Sequence, residues 1–213
     1  MSDRYPGYDV LAKRHTPSWN EKTRQVIDQR LAVPREPRFF TASEWRTLVA
    51  LCERILPQPA DRPPVPLAAY VDEKLLADRR NGYRDARLPP QREAWRRGLA
   101  ALDEIAQAGH RVPFHRLPAA EQDSILRRMQ AGELQGSAWG DMPCALFFSE
   151  RVIPDIVSAY YAHPTAWNEI GFGGPASPRG YVRMGFDRRD PWEAAEATAS
   201  RTRLAFKKNR RVV

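Results

Sequence analysis

The chain has 213 residues, of which 42% are hydrophobic, and its formal net charge is +8 at pH 7. A chain of this length can bury a sizeable core as one domain, and it holds no run of about 18 apolar residues, which excludes a membrane span. Its two cysteines are too few for a disulfide scaffold or a four-cysteine metal site.

The positive charge is concentrated towards the C-terminus. Residues 197–213 carry six basic side chains and no acidic ones, so the other 196 residues carry a net charge of only +2. We expect residues 187–213 to form a flexible basic tail without a fold, or alternatively an electrostatic tether to phosphates or an anionic membrane. The nearly neutral body argues against a DNA-binding domain, and we predict no nucleic-acid partner.

Hydrophobic periodicity predicts helices over most of the chain. Thr41–Glu44 is a capping box, in which the Thr41 hydroxyl can accept the Glu44 N–H while the carboxylate reaches back, and the helix that it starts is stopped by Pro57. We therefore predict a mainly α protein, an irregular helical domain of about five to six helices with a long Gly/Pro/aromatic closing segment. The other helices are predicted at residues 18–32, 66–81, 90–108, 118–131 and 141–162.

Proline modifies this simple helical pattern at two places. Pro154 lies inside the last long helix, so we expect a kink or a break near Glu150. Residues 57–66 hold five prolines, which we interpret as a stiff loop in preference to an exposed polyproline ligand. The best strand candidate, Tyr181–Met184, is weak.

After the last long helix the chain changes character. Residues 163–186, the closing segment, alternate glycines and prolines with Trp167, Phe172, Tyr181 and Phe186. This composition predicts a segment that is not helical but carries too many large apolar groups for a free linker. We expect it to lie across the helical body or against a partner.

No arrangement of side chains in the sequence indicates catalysis or metal binding. His110 and His115 are separated by Pro113, so no helix can present them as a metal-binding pair. His163 opens the closing segment and is either a helix C-terminal cation or part of a small free-standing enzyme that also uses nearby acids. Cys52 lies on the apolar face of its helix, which is typical of a buried thiol. We assign no catalytic residue and no metal ligand.

The glycines at 171–176 formally match the spacing of a dinucleotide-binding loop. That fold needs a strand before the glycines and a helix after them. Here a helix precedes the glycines, and further loop residues follow them. We therefore predict no cofactor in this chain.

Five motifs occur in an order that resembles a known family. This order is similar to that of the gluconate 2-dehydrogenase subunit 3 family over residues 39–186, and the last motif is the most specific. Residues 1–38 are then an N-terminal extension with a short helix, and 187–213 lie outside the family pattern. The motifs are FFTxxEW at 39–45, ERILP at 53–57, RGLxxLD at 97–103, LPxxEQ at 117–122, and WxxIGFxGP followed by GY within 167–181.

The resemblance implies a helper subunit. Members of the family are small or gamma subunits that pair with a flavoprotein large subunit of the glucose-methanol-choline (GMC) oxidoreductase type. That large subunit carries FAD and the catalytic histidine, and it often passes electrons to a cytochrome c. We therefore expect a non-catalytic partner that binds and stabilises the large subunit of a sugar, sugar-acid or glycoside dehydrogenase.

The closing segment supplies the candidate interface of such a subunit. Interface cores are enriched in aromatic residues and depleted in charge, and glycines allow a partner backbone to approach closely. The alternative is that the same aromatic side chains only fill the helical body. The candidate interface residues are His163, Trp167, Ile170, Phe172, Pro175 and Tyr181.

The first residues of the chain are polar and lack the apolar core of a secretory signal. Many members of the family begin with a twin-arginine signal, so the chain departs from the family pattern here. We expect a cytoplasmic protein or, where a signal-bearing partner exports the complex, a periplasmic or inner-membrane-associated one. A small free-standing enzyme and, with less support, a nucleic-acid-binding module that uses the basic tail are the alternative functions.

Overall fold

The computed structural model describes residues 3–60, 62–80, 82–177, 180–186 and 188–211. Within these ranges it contains nine α-helices and no β-strand, which confirms the predicted mainly α fold. Contacts divide the chain into a central unit, Val33–Ala159, and a terminal unit, Met1–Ala32 with Tyr160–Val213. The helices are α1 Glu21–Leu31, α2 Ala42–Ile55, α3 Leu67–Leu76, α4 Gln91–His110, α5 Ala119–Ala131, α6 Cys144–Phe147, α7 Ile153–Tyr161, α8 Pro164–Ile170 and α9 Thr202–Asn209.

The two units are defined by contacts and do not coincide with the segments expected from the sequence. The expected boundaries, after residues 38 and 186, stay predictions. In the part of the chain that the structure describes, every helix is too short or too polar to cross a membrane.

Local chemistry sets the starts of the central helices, as predicted. The Thr41 hydroxyl accepts a hydrogen bond from the Glu44 N–H at 3.3 Å, and the Glu44 carboxylate accepts one from the Thr41 N–H at 2.8 Å. Helices α3, α4 and α5 each begin directly after a proline, at Pro66, Pro90 and Pro118. A proline is tolerated there because the start of a helix needs no donor from the preceding turn.

Two helix ends differ from the prediction. Helix α3 already ends at Leu76, before the predicted end at residue 81, which lies outside the described residues. Helix α4 runs through Gly109 to His110, and it ends where Arg111 adopts a left-handed conformation with φ 60°. Gly109 is therefore a residue of the helix, and Arg111 takes the capping conformation that glycine usually adopts.

Trp95, on α4, forms the centre of the core of the central unit. Its ring packs edge-on against Phe147 with the ring centroids 5.5 Å apart, and both side chains are fully buried. Gly98 lies on the same helix, at a point where a Cβ atom would stand only 2.3 Å from the Phe147 ring. This close approach explains a glycine inside a helix, where it costs helix propensity.

The expected interruption of the last long helix is present as a π-helical turn. Phe148–Val152 forms this turn between α6 and α7. Pro154 has no N–H for the Glu150 carbonyl four residues earlier, and the Arg151 side chain donates a hydrogen bond to that carbonyl at 2.7 Å. The Arg151 guanidinium is thereby held inside the unit.

The terminal unit joins segments from the two sides of the central unit in the sequence. Its 3₁₀ helix, Val10–His15, begins where the Val10 N–H donates to the Asn168 side chain at 2.8 Å. An isolated parallel bridge joins Trp19 and Ser177. Tyr181–Met184 is not a strand. The core of this unit consists of Tyr8, Val10, Trp19, Ile27, Trp167 and Ala194.

The prediction that the closing segment is not helical is wrong for its first part, which forms α8. The His163 side chain accepts a hydrogen bond from the Thr165 N–H at the start of this helix. Pro164 occupies the first helical position, where its missing N–H removes no hydrogen bond. Gly171 ends the helix in a left-handed conformation with φ 66°.

The C-terminal tail departs from the expectation that it has no fold, because it contains α9. The last residue of this helix, Asn209, is buried. Its Oδ1 accepts a hydrogen bond from the Ala195 N–H at 2.6 Å, and its Nδ2 donates one to the Pro6 carbonyl at 3.0 Å. Asn209 therefore ties the helix to a segment near the other end of the sequence.

Candidate interaction surface

His163 lies at the junction between α7 and α8. Its backbone N–H donates to the Tyr160 carbonyl at 3.0 Å, and its Nδ1 accepts from the Thr165 N–H at 3.2 Å. A ring nitrogen that accepts a hydrogen bond carries no proton. The structure therefore places His163 as a helix N-cap, in contrast to the helix C-terminal cation of the sequence-based interpretation.

Trp167, on α8, is a core residue of the terminal unit with 3% of its surface exposed. Its Nε1 donates a hydrogen bond to the Tyr161 carbonyl at 2.6 Å. Gly174, with φ 69°, packs so tightly on the indole that a Cβ atom would stand 3.0 Å from the ring. Trp167 thus fills the body of its own unit and offers little surface to a partner.

Phe172 connects this buried indole with the surface. Its ring lies edge-on to Trp167 with centroids 5.6 Å apart, and it lies 6.2 Å from the ring of Tyr181. Tyr181 is 71% exposed. The three aromatic rings form a continuous series from the core to the solvent.

The other predicted interface residues differ in their exposure. Ile170, at the end of α8, is exposed, whereas His163 and Pro175 are half-buried. Among the six candidates, the exposed side chains are therefore those of Ile170, Phe172 and Tyr181.

Three apolar side chains outside the six candidate interface residues are highly exposed. Phe186 is 97% exposed, and Val182 and Met184 are exposed by more than half. The signal that could have identified them is four large apolar residues within positions 181–186 of a chain whose mean hydropathy is −0.61. Together with the exposed candidates these residues form the exposed apolar set, which consists of Ile170, Phe172, Tyr181, Val182, Met184 and Phe186.

Polar contacts hold the loop that carries most of this set. Arg183 forms an ion pair with Glu193, with Nε 3.1 Å from Oε1, and the Met184 N–H donates to the Asp190 carboxylate at 3.1 Å. Burial acts to raise the pKa of Glu193, but the hydrogen bonds from Arg183 and the Asp190 N–H outweigh it, and the pKa is lowered. These contacts fix the loop while its apolar side chains remain in solvent.

The glycine run in the closing segment does not fit a dinucleotide. A Cβ atom at Gly171 would stand 2.5 Å from the Tyr5 ring, so this side chain occupies the space beside the glycine. The Gly173 carbonyl accepts a hydrogen bond from Lys13. A diphosphate needs the N–H groups of a helix N-terminus that follows a strand, whereas Gly171 caps a helix C-terminus.

Two carboxylates of the central unit accept hydrogen bonds from groups that hold the fold. Asp72 accepts hydrogen bonds from the consecutive N–H groups of residues 38, 39 and 40, at 2.9 to 3.0 Å. Asp103 accepts from the Thr47 hydroxyl and from the Phe114 N–H, both at 2.9 Å. These contacts connect loops and helices, and they commit the carboxylates to holding the fold.

The surroundings of one thiol and one histidine in the central unit shift their pKa values. Burial raises the pKa of the Cys52 thiol, which disfavours the reactive thiolate. Cys144 is also buried and free. Burial, together with the charge of Arg46, lowers the pKa of His115. Within the described ranges, no three His, Cys, Asp or Glu side chains come together in a way that could hold a metal ion.

Most of the central unit and the start of the closing segment match a family model. Its description is Gluconate 2-dehydrogenase subunit 3, and it matches residues 42–174, which is more than half of the chain. The match ends before the exposed loop at 181–186. No curated protein and no solved structure matches the chain.

Proposed function

Because the chain belongs to the gluconate 2-dehydrogenase subunit 3 family, we propose that it is the small, non-catalytic subunit of an FAD-dependent dehydrogenase complex. It binds and stabilises a flavoprotein large subunit of the GMC type, which oxidises a sugar, a sugar acid or a glycoside. The FAD and the catalytic histidine belong to that partner, and a cytochrome c accepts the electrons. The complex is cytoplasmic unless the large subunit carries an export signal.

The observation that carries this proposal is the exposed apolar set. Phe172, Tyr181 and Phe186 are aromatic, and Met184 is the adaptable residue type that interfaces favour. Single exposed apolar residues are common on protein surfaces, but several large ones within one short segment indicate a contact site.

The aromatic part of the set is organised in advance of binding. Phe172 rests on the buried Trp167, and Tyr181 lies against Phe172. The Arg183–Glu193 ion pair restrains the same loop. Binding at such a surface costs less conformational entropy than binding at a free loop, which would have to become ordered.

Burial of these side chains would contribute favourably to the free energy of binding. Full burial of one large apolar side chain contributes about 1.5–3 kcal/mol. Tyr181 and Phe186 are the two aromatic members of the set with the most area left to bury. They are therefore the positions at which a polar substitution should weaken the complex most.

The test is co-expression of the tagged chain with a flavoprotein large subunit of the GMC type from the same organism. We expect the two proteins to purify together with a flavin absorption spectrum. The double variant Tyr181→Asp with Phe186→Asp should retain its helical circular dichroism but recover about tenfold less flavin, because it places two charges in the interface core.

Tyr83→Asp is the matched control, because Tyr83 is a 91% exposed aromatic residue of the central unit. It should recover as much flavin as the parent chain. Equal flavin recovery by the double variant would contradict the assignment of this surface. A large subunit that is equally soluble and active without the chain would contradict the proposed function itself.

A further inference from the structure

The central unit contains a small cavity with a strongly basic lining. Its volume is about 250 Å³, and Asp78 is the single carboxylate among its described lining residues. With four arginines in the same lining, the described side chains give the cavity a net charge of +3. The charged and amide side chains that line it are Asp78, Arg80, Arg84, Gln91, Arg92 and Arg151.

Arg151 is the buried member of this group, with 5% of its surface exposed. The π-helical turn places it there, and π turns are frequent at functional sites. Its guanidinium donates to the neutral Glu150 carbonyl, while its Nε is buried without an acceptor in the described structure. A buried charge is stable when it is paired. A bound anion would pair the buried charge of Arg151.

Gln91, the first residue of α4, provides a second buried donor at the same cavity. Its Nε2 atom also has no hydrogen-bond partner in the described structure. Buried amide donors in proteins are nearly always paired. The residues that carry these two donors come from elements about sixty residues apart in the sequence, and both line this cavity. An anion with several acceptor oxygens suits a cavity lined by several donor side chains.

Hydrogen bonds orient the guanidinium groups of the other three arginines, and carbonyl acceptors do not neutralise a positive charge. Arg84 and Arg92 each donate to a backbone carbonyl, which orients the guanidinium without neutralising it. Arg80 pairs with Asp78, with Nη2 2.9 Å from Oδ2. The anion would therefore meet guanidinium groups that are already positioned.

We propose that this cavity binds a phosphate group. One carboxylate is saturated by a single arginine fork, whereas a phosphate dianion has the charge and the oxygens for several guanidinium groups. The volume suits a group of this size, since pockets for drug-sized ligands begin at about 300 Å³. The phosphate is either the free ion or the phosphoryl end of a larger molecule.

Isothermal titration calorimetry of the full chain, at constant ionic strength, tests the proposal with inorganic phosphate and with glycerol 3-phosphate. We expect saturable binding to one site. Tighter binding of inorganic phosphate identifies the free ion as the ligand, and tighter binding of the ester identifies a phosphoryl group on a larger molecule. The absence of saturable binding for both probes overturns the proposal.

Two variants locate the site. Arg151→Met should weaken phosphate binding at least about tenfold, as expected for the loss of a charge-assisted hydrogen bond. The rim variant Arg80→Gln should weaken it about threefold at low salt. Arg128→Gln removes an exposed arginine of α5 and should bind like the parent chain.

Circular dichroism establishes whether each variant is folded. If Arg151→Met does not fold, Arg80→Gln decides the question, because its side chain is exposed and lies at the rim. If the folded cavity variants bind phosphate with the affinity of the parent chain, the cavity is not the binding site. Weakening in the cavity variants but not in Arg128→Gln supports it.

Discussion

Lys74 on α3 and Asp155 on α7 form an ion pair inside the central unit, with Nζ 2.5 Å from Oδ1. The second carboxylate oxygen of Asp155 accepts a hydrogen bond from the Trp95 indole N–H at 2.8 Å. The Asp155 side chain is fully buried, and that of Lys74 is largely buried. One carboxylate therefore fastens helices α3, α4 and α7 to one another.

Removal of the cation should destabilise the central unit strongly. In Lys74→Met, the buried carboxylate of Asp155 loses its ion pair, so we expect the free energy of unfolding to fall by about 3–5 kcal/mol. Urea denaturation measures this change. Lys22→Met, at an exposed position of α1, should change the free energy of unfolding by less than about 0.5 kcal/mol. Equal effects of the two variants would contradict the structural role of the pair.

Two glycines of α4 should respond to alanine in opposite directions. At Gly98 a Cβ atom collides with the Phe147 ring, so Gly98→Ala should lower the free energy of unfolding by about 1–3 kcal/mol. At Gly109 a Cβ atom meets no heavy atom within 4 Å, so Gly109→Ala should raise it by about 0.4–1 kcal/mol. Thermal and urea unfolding of both variants test this contrast. A stabilised Gly98→Ala variant would show that α4 and the Phe147 ring can move apart without a loss of stability.

The loop after α3 contains a carboxyl group whose ionisation should depend on one arginine. The side-chain hydrogen bond from Arg87, followed by that from the Arg87 backbone N–H, lowers the pKa of Asp85 to about 2. Because this folded-state pKa lies below the unfolded value of about 3.9, the pair stabilises the fold above about pH 4, and this stabilisation is lost as the pH falls towards 2.

Arg87→Gln should therefore raise the pKa of Asp85, as measured by NMR titration of the carboxyl carbon. The value should stay below the ordinary range because the backbone N–H of residue 87 still donates. The acid limb of the stability curve should become shallower between pH 4 and pH 2. A pKa that stays at about 2 would assign the shift to another cause.

Substitutions of His163 separate a capping role from a catalytic one. His163→Ala removes the acceptor for the Thr165 N–H and should cost about 0.5–2 kcal/mol of stability. His163→Asn supplies another side-chain oxygen and should restore most of this loss. Neither variant should change the turnover of a reconstituted complex by more than about twofold. Loss of turnover in both variants, with stability restored only in His163→Asn, would favour the enzyme hypothesis.

Features set by neighbouring residues could be predicted from the sequence. The capping box at Thr41 depends on residues three apart, and the interruption before Pro154 depends on one missing N–H. Helix α8 was missed because histidine is an uncommon N-cap and because the glycines and prolines of residues 163–186, including Pro164, were interpreted as excluding a helix. The same proline favours a helix when it stands at the first position.

Features set by distant residues could not be predicted in this way. Helix α9 contains few apolar residues, and its anchor, Asn209, bonds to Pro6 more than 200 positions away. The basic cavity likewise depends on Gln91 and Arg151 reaching the same place. Apolar side chains in the closing segment were recognised, but only the structure separates the buried Trp167 from the exposed Phe186.

The discontinuity of the terminal unit affects the order in which the protein can fold during synthesis. The central unit is one continuous stretch, Val33–Ala159, and all its contacts are available once that stretch has left the ribosome. Residues up to Ala32 emerge first but must wait for the residues from Tyr160 onwards. At 5–20 residues per second this delay lasts roughly 6–26 s, during which the apolar side chains around Trp19 are open to chaperones and proteases.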